Sequence, residues 1–497
     1  NNGYPDILKW RYFFDNDYSH FLLLNQGNNF FQTTRYLDSN EMIDLHSQGL
    51  SDLDLDGDLD LIAIEKEGDS QFHIYINQGL NEDGEIIFEN IYNYSRDDDE
   101  SSSRTLAIAD FDNDGDQDVF VPRKFSKNWL FVNQTLTKVG EDYIYNSNPE
   151  ELFQESASLY SIDDIDSDVT GSTGYGAAWG DYDNDDDFDL YLTNWGKNRL
   201  YQNIDNQFTN LAVEFNLESD SLSNGAGWGD FNNDGYLDLW SNNFKREDDI
   251  YINPGHDVEW DNSHNPYFLS ATQDVIPVDY NDDGQLDMFT PGLQIAHGQQ
   301  IDLQGYRYTS LLYKNITNDS LGTYNNWINL TLEGSNTNIN NNGWTTKANL
   351  SAIGARAIIE VFDKNISREV IAGKGHGSMD PLRLHYGLGN ASQIESITIK
   401  WPSLDTLTNS PKIMIINGPI DVNQNYHIVE DIGFVGKKGD ANFDDYINVI
   451  DIVNIVSEIL EPANEDPLFL WACDLNYSLH INVIDITKLI SFILAHQ

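Results

Sequence analysis

The chain has 497 residues, too many for one ordinary hydrophobic core, so two or more domains are expected. Its 82 acidic residues against 27 basic ones give a formal net charge of −55, which argues against nucleic acid and anionic membrane surfaces as partners. Cys473 is the only cysteine, which excludes an intramolecular disulfide, and no apolar run of about 18 residues is present to span a membrane as a helix.

The acids are concentrated in a nine-residue pattern, D-x-[DN]-x-D-[GD]-x-x-D, that occurs five times. The copies are Asp52 to Asp60, Asp110 to Asp118, Asp181 to Asp189, Asp230 to Asp238 and Asp279 to Asp287. Positions 1, 3, 5 and 9 carry oxygen side chains, and position 6 is glycine in four copies, where a tight loop must reverse. Such a loop suits a hard cation that takes six to eight oxygens, and Ca²⁺ is the natural choice. The candidate ligand positions are Asp52, Asp54, Asp56, Asp58 and Asp60; Asp110, Asp112, Asp114, Asp116 and Asp118; Asp181, Asp183, Asp185, Asp187 and Asp189; Asp230, Asn232, Asp234, Tyr236 and Asp238; Asp279, Asn281, Asp283, Gln285 and Asp287. Without a cation these carboxylates repel one another, so the loops should be poorly ordered in chelator. Acidic surface turns are the plainer alternative, but they do not explain five copies in one register.

Residues 1–323 read as a mainly β region built from these repeats. Each loop is preceded by a small-residue strand, as in GYGAAWG (Gly174 to Gly180), which suits a crowded central axis. After the loop comes an alternating strand, as in LDLIAI (Leu59 to Ile64), and then a strand ending in an asparagine turn, as in HIYINQG (His73 to Gly79). A unit of 40 to 50 residues with several strands marks a β-propeller blade. The stretch Phe13 to Gly27 has the same layout with Phe13 at position 1, so it predicts a sixth blade with a weak or absent metal site. A seventh blade is expected to close the ring. The loops resemble the FG-GAP or VCBS repeats of integrin-type propellers, a resemblance that implies calcium on the loops and leaves function open.

Residues 324–432 carry strands of another kind, including ANLSAIGARAIIEVF (Ala348 to Phe362) and ITIKWPS (Ile397 to Ser403). The blocks Ser351 to Arg356, His385 to Gly389 and the pair Trp401–Pro402 are similar to the ASPIC/UnbV domain of cartilage acidic protein relatives. Alternation in IIEVF and ITIKW predicts a β-sandwich-like module. His376, Ser378, Asp380, Arg383 and His385 form the one cluster that could do acid/base or nucleophilic work. The competing expectation is that Arg356 or Arg383 pairs with a carboxylate to lock the domain. Trp179, Trp195, Trp228 and Trp240 could stack on sugars or pack between blades.

Residues 433–497 contain a duplicated loop and helix. EF-hand-like positions fall on Asp440, Asn442, Asp444, Tyr446 (carbonyl), Asn448 and Asp451, then on Asp474, Asn476, Ser478, His480 (carbonyl), Asn482 and Asp485. Each loop runs into an amphipathic helix, VIDIVNIVSEIL or VIDITKLISFIL. The pair resembles a type I dockerin, although position 6 is Asp445 and Leu479 rather than glycine. That resemblance implies a cohesin-like partner, with Val449, Ile450, Val483 and Ile484 where such contacts often begin.

The expectation is an exported, extracellular or cell-surface calcium-stabilised binding or structural protein that docks through its tail to a partner or to another copy of itself. The absence of a leading methionine suits a processed chain, and extracellular sites of ~0.1–1 mM affinity need the calcium found outside cells. The alternative is an enzyme or carbohydrate-binding component acting on extracellular polysaccharide. Asn133, Asn315 and Asn349 sit in sequons and are permitted glycosylation sites.

Overall fold

The computed structural model describes residues 7–11, 19–25, 31–35, 45–65, 72–81, 86–95, 102–140, 142–148, 151–163, 174–243, 247–255, 259–262, 274–291, 310–317, 325–335, 347–362, 364–374, 378–405, 408–436, 438–443, 446–460, 462, 464, 466–475 and 480–495. The described chain is mainly β, with three short helices near its C-terminal end.

Six antiparallel meanders come first. Unit I pairs Ile7–Arg11, Ser19–Asn25 and Phe31–Arg35. The loop expected within it, 12–18, lies outside the described residues. Unit II runs Leu45–Ser51, Asp60–Glu65, Phe72–Leu80 and Ile86–Tyr94, and unit III begins at Ala107–Ala109 and Asp118–Val121. Units IV, V and VI begin at Gly174–Gly180, Asp220–Gly229 and Ile276–Val278. In units II to VI the acidic loop joins the first strand to the second.

First strands of successive units pack on one another. Trp179 Nε1 of unit IV donates to Ala107 O of unit III at 3.3 Å, and Trp228 Nε1 of unit V donates to Ala178 O of unit IV at 3.1 Å. A Cβ on Gly176 would stand 2.3 Å from Asn224 O, so only glycine lets these two strands approach. Aromatic and aliphatic side chains fill the space between units. Phe111, Phe120, Trp179 and Tyr201 share one core, and Tyr182, Tyr191, Trp228 and Trp260 share the next.

Next come two four-stranded sheets around one core. One sheet orders Arg383–Gly389, Asn326–Glu333, Gln424–Val429 and Gly433–Val435; the other orders Lys364–Glu369, Arg356–Val361, Gln393–Leu404 and Pro411–Asp421. Ile328, Leu330, Ile359, Tyr386, Ile397 and Trp401 bury the faces between them, which makes a sandwich.

One connection in this sandwich leaves it for the meanders. Leu50 N of unit II donates to Ala372 O at 3.1 Å, and Ile108 N of unit III donates to Gly373 O at 3.3 Å. Lys374 Nζ would lie 3.2 Å from a Cβ on Gly227 of unit V, and Ser378 Oγ donates to Asp274 just ahead of unit VI. This stretch therefore touches the first strands of units II, III and V.

The helices are α1 (Val449–Leu460), α2 (Pro467–Cys473) and α3 (Val483–Ala495). Ala441, Ile455, Cys473 and Leu489 form their core. Trp471 ties α2 to the sandwich, packing on Val429 and donating Nε1 to Glu333 at 2.9 Å. No helix among the described residues is long and apolar enough to cross a membrane.

Candidate cation sites on the acidic loops

The five loops are wired alike. The position-1 carboxylate accepts the N–H groups of positions 5 and 6, as Asp52 does from Asp56 (3.0 Å) and Gly57 (2.9 Å). The same pair of bonds recurs at Asp110, Asp181, Asp230 and Asp279. Position 5 accepts from the N–H of position 7 in every copy. Position 9 accepts the position-2 N–H in loops 1 to 4 and, in all five, the N–H of an asparagine further on: Asn77, Asn133, Asn203, Asn253 and Asn315 at 2.7–2.9 Å. Position 4 is left-handed throughout, with φ between 58° and 61° at Leu55, Asn113, Asn184, Asn233 and Asp282.

This winding turns carboxylates inward. Oxygens of Asp52, Asp54 and Asp60 lie within 4.8 Å of one another, as do those of Asp110, Asp112 and Asp118, and of Asp181, Asp183 and Asp189. Oδ1 of Asp54, Asp58 and Asp116 and Oδ2 of Asp287 are buried without a hydrogen-bond partner among the described residues. Burial, then neighbouring carboxylates, push Asp54 up to about 7, Asp58 to about 8 and Asp112 to about 7. Asp52, Asp60, Asp118, Asp189 and Asp238 are held well above the ordinary range for the same reasons. Orphaned buried oxygens under mutual repulsion, all from a hard-ligand set, are what a divalent cation would relieve.

The loops are also linked to each other. The position-4 amide reaches the position-6 carbonyl of the next loop: Asn113 donates to Asp186 O (3.0 Å), Asn184 to Gly235 O (3.0 Å) and Asn233 to Gly284 O (2.8 Å). The asparagines that brace position 9 form a second set. Asn133, Asn203, Asn253 and Asn315 donate Nδ2 to the position-2 carbonyls Leu53, Phe111, Tyr182 and Phe231 of the preceding loop, at 2.7–3.2 Å. The sequence showed these residues only as a recurring turn; their fixed place after the third strand was the available signal.

The sandwich lies against this row. Arg356 pairs with Glu369, both buried, and reaches Asp110 O, Asn113 Oδ1 and Asp186 O on loops 2 and 3. His385 places Nε2 2.7 Å from Asn233 Oδ1 on loop 4 and Nδ1 2.7 Å from Asn329 Oδ1. Arg383 donates to Asp279 O at 2.7 Å and to Asp282 on loop 5. A Cβ on Gly387 would fall 2.0 Å from Asp230 Oδ2, so the backbone there presses directly on loop 4.

The proposed acid/base cluster is therefore dispersed. Ser378 donates to Asp274, Asp380 pairs with Lys374, and Arg383 and His385 serve different loops; His376 lies outside the described residues. Between loops 3 and 4 and the sandwich is a cavity of about 100 Å³ lined by Trp179, Asp181, Trp228, Asp230, Arg368 and His385. Arg368 is buried there, and its Nε and Nη2 have no hydrogen-bond partner among the described residues.

The C-terminal loops are partly described, since Asp444, Asn476 and Ser478 lie outside the described residues. Asp440, Asp451, Asp474 and Asp485 are buried. Asn448 and Asn482 cap α1 and α3, accepting the N–H of Ile450 and Ile484, and donate to the carbonyls of Tyr446 and His480. Asp451 accepts from the N–H groups of Asn442 and Asn448, and Asp485 from that of Asn482.

Trp179, Trp228 and Trp240 are buried, and Trp195 stacks on Tyr175 with ring centroids 5.1 Å apart. Of the sequon amides, Asn133 donates to Leu53 O, Asn315 to Phe231 O and Asn349 to Ile353 O, so all three are committed inside the fold.

Mainly β architecture with repeated acidic loops defines a repeat protein, and the family comparisons agree. The FG-GAP-like repeat matches residues 52–121 and 181–241. The domain described as ASPIC and UnbV matches residues 345–432, so the chain carries FG-GAP-like repeats followed by an ASPIC/UnbV domain. No curated protein matches the chain. Among solved structures, the exotype rhamnogalacturonan lyase YesX is 9% identical, with a TM-score of 0.28, over 81% of this chain and 73% of that chain; a likeness this low carries no argument.

Proposed function

We propose that the chain is an exported, calcium-stabilised binding or structural protein. Residues 1–323 form a β-propeller closed by a seventh blade, 324–432 the ASPIC/UnbV sandwich, and 433–497 a dockerin-like module. Ca²⁺ in each propeller loop would be held by oxygens of positions 1, 3, 5 and 9 with the position-7 carbonyl, and it would supply the charge that these carboxylates lack. One or two further ions would sit in the C-terminal loops.

The observation that carries the non-enzymatic reading is the stretch Ala372 to Lys374. It lies among the first strands of units II, III and V, bonded to Leu50 and Ile108, where an axial active site would need open space. Catalysis on extracellular polysaccharide, the competing reading, requires that space. Docking falls to the C-terminal module, whose helices expose Val449, Ile450, Val483 and Ile484 at equivalent positions of the two repeats. A cohesin-like domain or a second copy of this chain is the partner; a glycan would have to bind elsewhere on the propeller rim. The experiment is sedimentation of the full chain and of a chain lacking 439–497, each with calcium and with EGTA, together with turnover assays on a polysaccharide panel. Calcium-dependent association lost with the deletion supports the reading; association unaffected by the deletion, or turnover of a polysaccharide, overturns it.

A further inference from the structure

The contacts between the sandwich and the loop row avoid nearly every oxygen that a cation would need. Arg356 takes Asp110 O, Asp186 O and Asn113 Oδ1; Arg383 takes Asp279 O and Asp282; His385 meets Asn233 Oδ1. Asn325 Nδ2 donates to Asn232 O at 2.9 Å, and Gly389 N to Asn233 O at 2.8 Å. These are main-chain carbonyls of positions 1, 3, 4 and 6 and side chains of position 4, none of them among the candidate ligand oxygens. Among the described residues the exceptions are Asn329, which donates to Asp279 Oδ2 at 3.2 Å, and Gly387, whose backbone lies against Asp230 Oδ2.

Position 4 is the left-handed residue on which each loop turns, so its placement decides whether positions 3 and 5 face inward. In loops 2 and 4 that residue is gripped from two sides. The Asn113 and Asn233 amides donate to the next loop, while their Oδ1 atoms meet Arg356 and His385. Loop 5 has no following loop in the row, and its position-4 residue, Asp282, is paired with Arg383 instead. Loop 1 is built differently: Leu55 packs against Leu136 and Leu404.

We infer that Arg356, His385 and Arg383 are positioning residues for cation binding: the ASPIC/UnbV sandwich holds loops 2 to 5 in their liganding conformation from the outside. The inference rests on the calcium reading above. A loop already held in shape leaves less ordering for the ion to drive, so docking of the sandwich and ion binding favour each other. The linkage is reciprocal, and calcium in turn tightens the sandwich on the row. A purely Coulombic view gives the opposite sign, because a guanidinium beside an anionic cage repels Ca²⁺.

The sign is therefore the test, and Arg383 is the residue for it because its side chain is 29% exposed and its loss should be tolerated by the fold. Calcium titration calorimetry of the full chain should show the weakest-held site loosened about tenfold in Arg383→Ala, with partial recovery in Arg383→Lys. Terbium luminescence gives a local readout, since the Trp327 ring lies against Gly284 of loop 5 and can sensitise an ion there. Unchanged or tighter calcium binding in Arg383→Ala, even with a lower melting temperature in EGTA, overturns the inference and leaves the calcium reading standing. If the unaltered protein takes up no calcium, that reading falls and this one with it.

Discussion

Nε2 of His385 stands 2.7 Å from Oδ1 of Asn233, joining residues 152 apart in sequence across the boundary between sandwich and loop row. Burial, with Arg368 and Arg383 nearby, pushes the imidazole down to about 3. The folded ring is thus neutral where an unfolded histidine, near 6.5, begins to take a proton, and its single N–H can serve only one of Asn233 Oδ1 and Asn329 Oδ1. His385 contributes stability that is complete above pH about 6.5 and declines as pH falls toward 3. His385→Gln should flatten that part of the pH profile of chemical denaturation measured in calcium; an unaltered profile refutes the assignment.

In EGTA the loops should dominate with the reverse slope. Carboxyls such as Asp54 (about 7) and Asp58 (about 8) hold protons in the folded state that the unfolded chain releases near 4. Chelated protein should gain stability as pH falls from about 8 toward 5, whereas calcium-loaded protein should lose it as protons displace the ion. Scanning calorimetry in both buffers reads the two signs, and parallel curves would contradict cation-filled loops.

Calcium itself should raise the melting temperature. A site of ~0.1 mM affinity in ~1 mM calcium, about ten times its Kd, adds about 1.4 kcal/mol. With several such sites, the shift on adding millimolar calcium to chelated protein should exceed the scatter of any thermal melt. No shift would remove calcium from the account.

Asn253 offers a test of the inter-unit braces. Its Nδ2 serves Tyr182 O and Leu237 O, and its N–H serves Asp238. Asn253→Ala strands two buried carbonyls and should cost about 2–4 kcal/mol in urea denaturation. A loss below about 0.5 kcal/mol would mean the carbonyls find other partners.

Arg356 and Glu369 form a buried pair. Arg356→Met leaves Glu369 without its partner and should cost about 3–5 kcal/mol. Adding Glu369→Gln should restore part of the loss, and a double-mutant cycle with no coupling would show that the pair does not act as a unit.

The sequence disclosed what is periodic. Nine-residue acidic patterns, the small residues around Gly176 and alternation in Ile358 to Phe362 predicted loops, close-packed first strands and a sandwich, because each depends on neighbours within one repeat. Arg356 on Asp110, or Ala372 against Leu50, unites residues with no shared period, so one sequence alone carries no sign of them. The stretch around Ser378 read as a reactive cluster because its polar residues are adjacent in the chain. In three dimensions they face separate partners. Leu55 shows the same from another side: position 4 is unconstrained in the pattern, and the reason for an apolar residue there, Leu136 and Leu404, lies far along the chain.

The bond from Asp110 N to Glu369 spans 259 residues. This bond, with those from Leu50 N to Ala372 O and from Ile108 N to Gly373 O, exists only once the sandwich is in place. The strands of these units pair locally and bury cores of their own, so the contacts with Ala372, Gly373 and Glu369 are the ones that form last, and long-range closure of this kind is slow.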